Sequence, residues 1–105
     1  MSAPKAYWEP LPASPHGIVR VYSDGETPFG WPYDFCCTVV ALFPKKSWDL
    51  VGDIRGLRVD GLTMRHQRAI FACLRDQGFD EVTWTRVKVQ PDGTLKERII
   101  RCRLR

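Results

Sequence analysis

The amino-acid sequence predicts an α+β fold: a mixed or antiparallel sheet of about five strands with one main helix on one face. Three observations lead to this prediction. They are a single stretch with clear helix start and stop signals, several short runs rich in β-branched residues, and a strong turn near the C-terminus. The elements follow one another as strand, strand, strand, helix, strand, strand. A chain of 105 residues suits one domain with a modest core.

Residues 1–16 are predicted to form an extended arm outside the single α+β domain, which comprises residues 17–105. The arm contains four prolines, which prevent a helix and favour an extended chain. Three apolar side chains between the prolines are candidates for binding a partner protein: Tyr7, Trp8 and Leu11.

Two strands and a loop are expected next. Gly17–Tyr22 has the β-branched composition of a short strand. The loop of residues 23–34 contains two glycines and two prolines, and its aromatic side chains either pack inward or are displayed. Phe29 and Trp31 are therefore candidates for partner contact. Phe35–Phe43 is an almost continuous apolar run, which indicates a central strand covered on both faces.

The second half of the chain begins with a predicted strand over Trp48–Val59, in which polar and apolar residues alternate. Thr63 can cap the N-terminus of the helix that follows. Gly78 suits the left-handed residue after the last turn, and Phe79 would then fold back onto that turn. We expect His66, in the first helical turn, to be exposed rather than catalytic.

A C-terminal β-hairpin is predicted from Glu81–Gln90 and Leu95–Leu104, joined by the turn Pro91-Asp92-Gly93. The apolar residues of its first strand change phase near Thr85, which we interpret as a bulge or a strong twist. In its second strand, arginines alternate with apolar residues and are expected on the outside.

Positive charge is concentrated in the second half of the chain. Residues 1–52 contain four Lys or Arg and five Asp or Glu, whereas residues 53–105 contain twelve and seven. Such an Arg-rich half fits either an anionic partner or a solvated surface, and we single out Arg98, Arg101 and Arg103 as partner-binding residues. Nucleic-acid binding would usually add aromatic side chains on the same surface. The sequence thus favours a protein partner, with a homo-oligomer as a second possibility.

The sequence shows no sign of a metal site or a membrane segment. Its four cysteines lack the spacing of metal ligands and are predicted to be free thiols that pack as small apolar residues. No apolar run approaches the roughly 20 residues of a membrane span, and the N-terminus does not resemble a secretory signal.

The stretches Trp48–Gly56, Leu62–Phe79 and Glu81–Arg86 resemble short proteins of tailed bacteriophages that are similar to the central segment of GNAT-type N-acetyltransferases. In that family the loop before the helix and the helix N-terminus bind the pyrophosphate of acetyl-CoA. The resemblance implies that Arg58, Gly61 and Thr63 would take this part here.

Other features depart from the family. Thr63 replaces a small residue, and Asp60 brings negative charge to the place where the phosphates would lie. The helices that the family inserts between its first strands, and the helix after the following strand, are missing. Every tyrosine also lies far upstream of the position where the family carries one that protonates the leaving thiolate. The resemblance therefore implies a reduced fold that has lost catalysis and has no catalytic residues.

The sequence leads us to expect a non-enzymatic bacteriophage accessory protein that acts through protein–protein contacts, as a component of the virion or of its assembly. An anti-defence or host-takeover protein that binds a host protein would use the same surfaces. An acyl-CoA-dependent N-acetyltransferase and a nucleic-acid-binding module are two further functions that the sequence leaves open. The expected location is the virion or the cytoplasm of the bacterial host.

Overall fold

The computed structural model of the protein describes residues 2–28, 30–43, 48–58 and 60–105. Within these ranges the chain forms six strands and one helix. The elements are β1 Lys5–Pro10, β2 Gly17–Tyr22, β3 Phe35–Leu42, β4 Val51–Arg55, α1 Met64–Asp76, β5 Glu81–Val89 and β6 Leu95–Arg103.

All six strands belong to one sheet, and their order in space is their order in the chain. Neighbouring strands are antiparallel except β4 and β5, which are parallel because α1 carries the chain back between them. The helix packs on one face of the sheet over β1 and β2. The predicted α+β class, with one helix on a mixed sheet, is confirmed for the described part of the chain.

The sixth strand comes from the region predicted as an arm. Lys5–Pro10 is extended, but it pairs with β2 in regular register from Lys5 opposite Tyr22 to Pro10 opposite Gly17. The sequence places no proline between Pro4 and Pro10, so the strand fits between them. As an edge strand, β1 also tolerates a proline at its end, where a missing N–H breaks no ladder.

Trp8 ties β1 to the core. Its ring meets Phe79 edge to face, with ring centroids 5.6 Å apart. The ring also lies against Gly17 so closely that a Cβ at this position would overlap it. Trp8 therefore packs on the helix-bearing side of the sheet, and the absence of a side chain at Gly17 makes room for it.

The helix begins and ends as its local sequence predicts. Thr63 is the N-cap, and its hydroxyl accepts from the His66 amide. At the other end the Phe79 amide donates to the Leu74 carbonyl at 3.0 Å, and the Gly78 amide donates to the Arg75 carbonyl at 3.0 Å. This is the Schellman arrangement, with Gly78 at a φ of +95°. Leu74 and Phe79 then lie together in the core.

The strand before the helix is shorter than predicted. It covers Val51–Arg55 rather than Trp48–Val59, and Val59 lies outside the described residues. Trp48, expected to start the strand, is 103% exposed. Gly52 lies in the middle of β4, where a Cβ would come within 3.0 Å of Phe79 and 3.1 Å of Val39. A side chain at this position would crowd Phe79 and Val39, so Gly52 gives the residue after the helix room to pack closely on the sheet.

The contrast between two tryptophans gives a test of whether β1 belongs to the folded domain. We expect Trp8→Ala to lower the free energy of unfolding by about 2–4 kcal/mol, since it removes a large ring from the core. Trp48→Ala, the matched control, should change stability by less than about 0.5 kcal/mol because its ring is exposed. Urea unfolding followed by far-UV circular dichroism measures both. Equal midpoints would show that residues 5–10 are dispensable for folding.

Candidate interaction site

The last two strands extend beyond the rest of the sheet. The final residue pair between β4 and β5 is Ile54 opposite Trp84, whereas β5 and β6 remain paired as far as Val89 opposite Leu95. Residues 85–99, which we name the distal hairpin, therefore consist of two strands and a turn. Within the described residues, no third strand pairs with either of them.

A short turn closes the distal hairpin. The Gln90 amide donates to the Thr94 carbonyl at 2.8 Å, and Gly93 has a φ of +84°. One carboxylate oxygen of Asp92 accepts from the Thr94 hydroxyl at 2.6 Å and from the Thr94 amide at 3.0 Å. These bonds hold the pKa of Asp92 below its ordinary value. The turn sets the register that places each residue on its face.

The register of β5 and β6 is unbroken from Glu81 to Val89, so the bulge expected near Thr85 is absent from this strand pair. Trp84 lies on the helix-bearing side, where its ring meets Phe71 with centroids 5.8 Å apart. Up to Trp84, the apolar residues of β5 face the helix. Beyond it the apolar residues face the other way, because the strand has left the core behind.

One face of the distal hairpin is apolar. It lies on the side of the sheet that does not carry the helix, and its side chains are 54–68% exposed. We name it the apolar face; it consists of Val87, Val89, Leu95 and Ile99. Glu97 lies among these residues, opposite Val87, and Thr85 lies opposite Ile99. Four neighbouring exposed apolar side chains on a two-stranded ribbon indicate a contact surface.

The opposite face, on the helix-bearing side, is positively charged. Arg86 lies directly opposite Arg98, and Lys88 lies directly opposite Lys96. We name these four residues the cationic face; all four are exposed. Within the described part of the chain, none of them takes part in a salt bridge. Like charges directly opposite each other destabilise a strand pair, so both pairs weaken the free hairpin.

The three arginines predicted to bind a partner do not share one surface. Arg98 belongs to the cationic face, whereas Arg101 and Arg103 lie on the opposite side of β6. The guanidinium of Arg103 donates to a carboxylate oxygen of Asp49 at 2.7 Å, so an intrachain ion pair engages it. Arg101 lies opposite Thr83 and is exposed. The pairing register, which the turn determines, was the signal that would have grouped Arg98 with Arg86 and Lys88.

The apolar and aromatic candidates from the first third of the chain are also dispersed. Tyr7 packs edge to face on Tyr22, with centroids 5.6 Å apart, and Trp8 packs against the core. The Leu11 amide closes the β1–β2 connection by donating to the His16 carbonyl. Trp31 is 64% exposed, and its carbonyl accepts from the Tyr22 hydroxyl. Phe29 lies outside the described residues.

The candidate coenzyme-binding residues lie just before the helix. Arg58 and Thr63 are exposed, and Gly61 has a φ of +77°. The Thr63 amide, which a phosphate would need, donates instead to Nδ1 of His66 at 2.9 Å. The capping contact with His66 therefore engages a donor at this helix start.

His66 is buried, contrary to the expectation from sequence, with 7% of its surface exposed. Because Nδ1 accepts from the Thr63 amide, the ring proton of the neutral form lies on Nε2 and is donated to the Ser23 hydroxyl at 2.8 Å. The ring also packs on Phe35, with centroids 4.7 Å apart. His66 therefore joins the helix start to β3 and to the loop after β2, which accounts for it structurally.

The cysteines lie wholly or partly within the fold. All four are free; Cys37 is buried, and the others are partly buried. Burial raises the pKa of Cys37 to about 12 and that of Cys73 to about 11, so both thiols stay protonated near neutral pH. In the ranges that the structure describes, no group of three or more His, Cys, Asp or Glu side chains is placed to hold a metal ion.

A shallow recess of about 280 Å³ lies between α1 and β6, lined by Arg68, Phe71, Ala72, Arg75, Arg103 and Leu104. It is open to solvent and lies away from the start of the helix.

Across the described residues, no helix combines the length and apolar character that crossing a bilayer requires. Comparisons with protein family models, with curated proteins and with solved structures found no match for this chain.

The role assigned to His66 can be tested by substitution. We expect His66→Ala to lower the free energy of unfolding by about 1–2 kcal/mol, because it leaves the Thr63 amide without its acceptor. His66→Gln should restore part of this loss, since glutamine at this position also accepts from the cap amide. Arg65→Ala, an exposed neighbour, is the control. Urea midpoints that do not distinguish His66→Ala from Arg65→Ala would contradict the assignment.

Proposed function

We propose that this protein is a non-enzymatic bacteriophage accessory protein that acts through protein–protein contacts, as a component of the virion or of its assembly. The observation that carries the proposal is the apolar face of the distal hairpin. The phage setting rests on the resemblance of residues 48–56, 62–79 and 81–86 to short phage proteins.

The distal hairpin obtains little stability from its own contacts. A two-stranded hairpin without a third strand or a packed helix is only marginally stable in water. Here the strands also expose four apolar side chains on one face, Val87, Val89, Leu95 and Ile99. Covering that face with protein would remove apolar surface from water and supply the missing support. The hairpin is thus built to be completed by a partner.

The partner that we propose for the apolar face is a second copy of the chain. A two-fold symmetric contact needs a surface that is complementary to itself. On this side of β6, Glu97 and Arg101 lie two residues before and after Ile99. A two-fold axis at Ile99 would bring Glu97 of each copy towards Arg101 of the other, around an apolar centre. Self-association of this kind suits a component present in many copies.

The contacts at the helix start also support a non-enzymatic role. The Thr63 amide is engaged by His66, and the exposed carboxylate of Asp60 lies two residues after Arg58. An acetyl-CoA pyrophosphate would have to displace the hydrogen bond between Thr63 and His66, and its negative charge would lie near the carboxylate of Asp60. A protein that works by surface contact does not need this helix start as a ligand site.

Oligomeric state tests the proposal directly. We expect sedimentation velocity to show a reversible dimer, which Val87→Ser combined with Ile99→Ser should weaken at least tenfold, or about 1.4 kcal/mol. Polar side chains at these two positions would remove the apolar centre of the contact without touching the core.

Met64→Ser is the matched control, because Met64 is 64% exposed like Ile99 but lies at the start of the helix. It should leave the dimer unchanged. A wild-type protein that stays monomeric at high concentration, or a dimer that survives the double substitution, would contradict self-association through the apolar face.

A further inference from the structure

We propose that the cationic face of the distal hairpin binds double-stranded DNA. This inference goes beyond the proposed function, because it concerns the opposite face of the hairpin and rests on a different observation. That observation is the placement of Arg86 opposite Arg98 and of Lys88 opposite Lys96 on a ribbon that projects from the sheet.

The arrangement of charge points to an anionic partner. Four cations lie on one side of five residue pairs, and side chains on one face of a strand repeat about every 7 Å. In the free protein the two cations of each opposed pair repel each other. A partner with closely spaced negative charges would offset this repulsion and attract all four side chains. The phosphates of a DNA duplex, at one charge per roughly 1.7 Å of axis, form such a partner.

The residue types on the cationic face favour a duplex over a single strand. Single-stranded nucleic acid is held largely by bases stacked on exposed aromatic rings. On this face the aromatic residue of β5 and β6 is Trp84, which is partly buried and packs against Phe71. The cationic residues beyond it, among those described, have no ring beside them in the strand pair. The contacts available are therefore those to a phosphate backbone.

The shape also favours DNA over RNA. The major groove of B-form DNA is about 12 Å wide and admits a two-stranded β-ribbon. The major groove of an A-form RNA helix is deep and too narrow for side chains to read. The distal hairpin begins after Trp84, the last residue of β5 that pairs with β4. Among the described residues, no third strand therefore obstructs its approach to a groove.

Fluorescence anisotropy with a labelled DNA duplex measures the binding. Four phosphate contacts predict a slope of about −3.6 in a plot of log K against log salt, which is about a 150-fold loss of affinity between 50 and 200 mM salt. Replacing Arg86 and Arg98 with Ser should weaken binding and reduce the magnitude of the slope by about 1.8. Replacing Lys5 and Arg65 with Ser is the matched control, because it removes the same charge from exposed residues outside the hairpin.

Arg98→Glu separates binding from folding. It places opposite charges at the pair formed with Arg86, so the melting temperature should be no lower than that of the wild type, while DNA affinity falls. Equal losses in the Lys5/Arg65 control, wild-type affinity in Arg98→Glu, or full displacement of the duplex by an equal charge of polyglutamate would overturn the proposal. Displacement by polyglutamate would identify an acidic protein as the partner.

The dimer proposal and the DNA inference can be contradicted independently, because they concern opposite faces of the hairpin. If the dimer is absent but the salt-dependent DNA binding is present and sensitive to Arg86 and Arg98, only the proposed function is contradicted. If Val87→Ser with Ile99→Ser abolishes the dimer while Arg86→Ser with Arg98→Ser leaves DNA binding intact, only the DNA inference is contradicted.

Discussion

The fold depends on the short parallel pairing between β4 and β5. Only four residue pairs join these strands, from Val51 opposite Glu81 to Ile54 opposite Trp84. This pairing connects an antiparallel sheet of four strands to a C-terminal hairpin, and α1 must cross one face of the sheet to make it possible. The end of the crossover places Phe79 against Gly52 and buries Leu74 in the same core cluster, so the crossover itself contributes to the core.

The shortness of β4 explains the shape of the rest. Because β4 ends at Arg55, β5 continues for five residues with β6 as its only partner among the described strands. A strand inside the sheet buries its helix-facing residues, as Val82 does. Once outside, the same strand has no core to face. Its apolar and charged residues are then exposed on both faces of the ribbon. The apolar residues change from the helix-bearing side to the other side without any break in register.

The two proposed contacts are compatible in space. They use opposite sides of a ribbon one strand-layer thick, so neither partner blocks the other. Two copies joined through their apolar faces would direct their cationic faces away from each other. Each contact would also offset a feature that weakens the free hairpin, namely exposed apolar side chains on one side and opposed like charges on the other.

Sequence patterns predicted well whatever depends on near neighbours. The Thr63 cap, the Schellman end at Gly78, the turn at Gly93 and the strand over Gly17–Tyr22 are each governed by a few adjacent residues, and the structure contains them. Predictions that require distant partners were less successful. Whether Lys5–Pro10 is an arm or a strand depends on Gly17 leaving room for Trp8 and on Phe79, more than sixty residues away, packing against its ring.

The candidate site shows the same division. The alternating apolar and basic residues of β5 and β6 are visible in the sequence, and they determine that each strand has two unlike faces. Whether those faces are buried or exposed depends on where β4 ends, and which basic residues meet depends on the pairing register. His66 likewise reads as an exposed residue of a first helical turn until Ser23 and Phe35 are brought against it. The sequence by itself determined the helix with its caps and the turn at Gly93, because these depend on local chemistry. The tertiary structure alone decided which faces remain open, because exposure depends on residues far away in the chain.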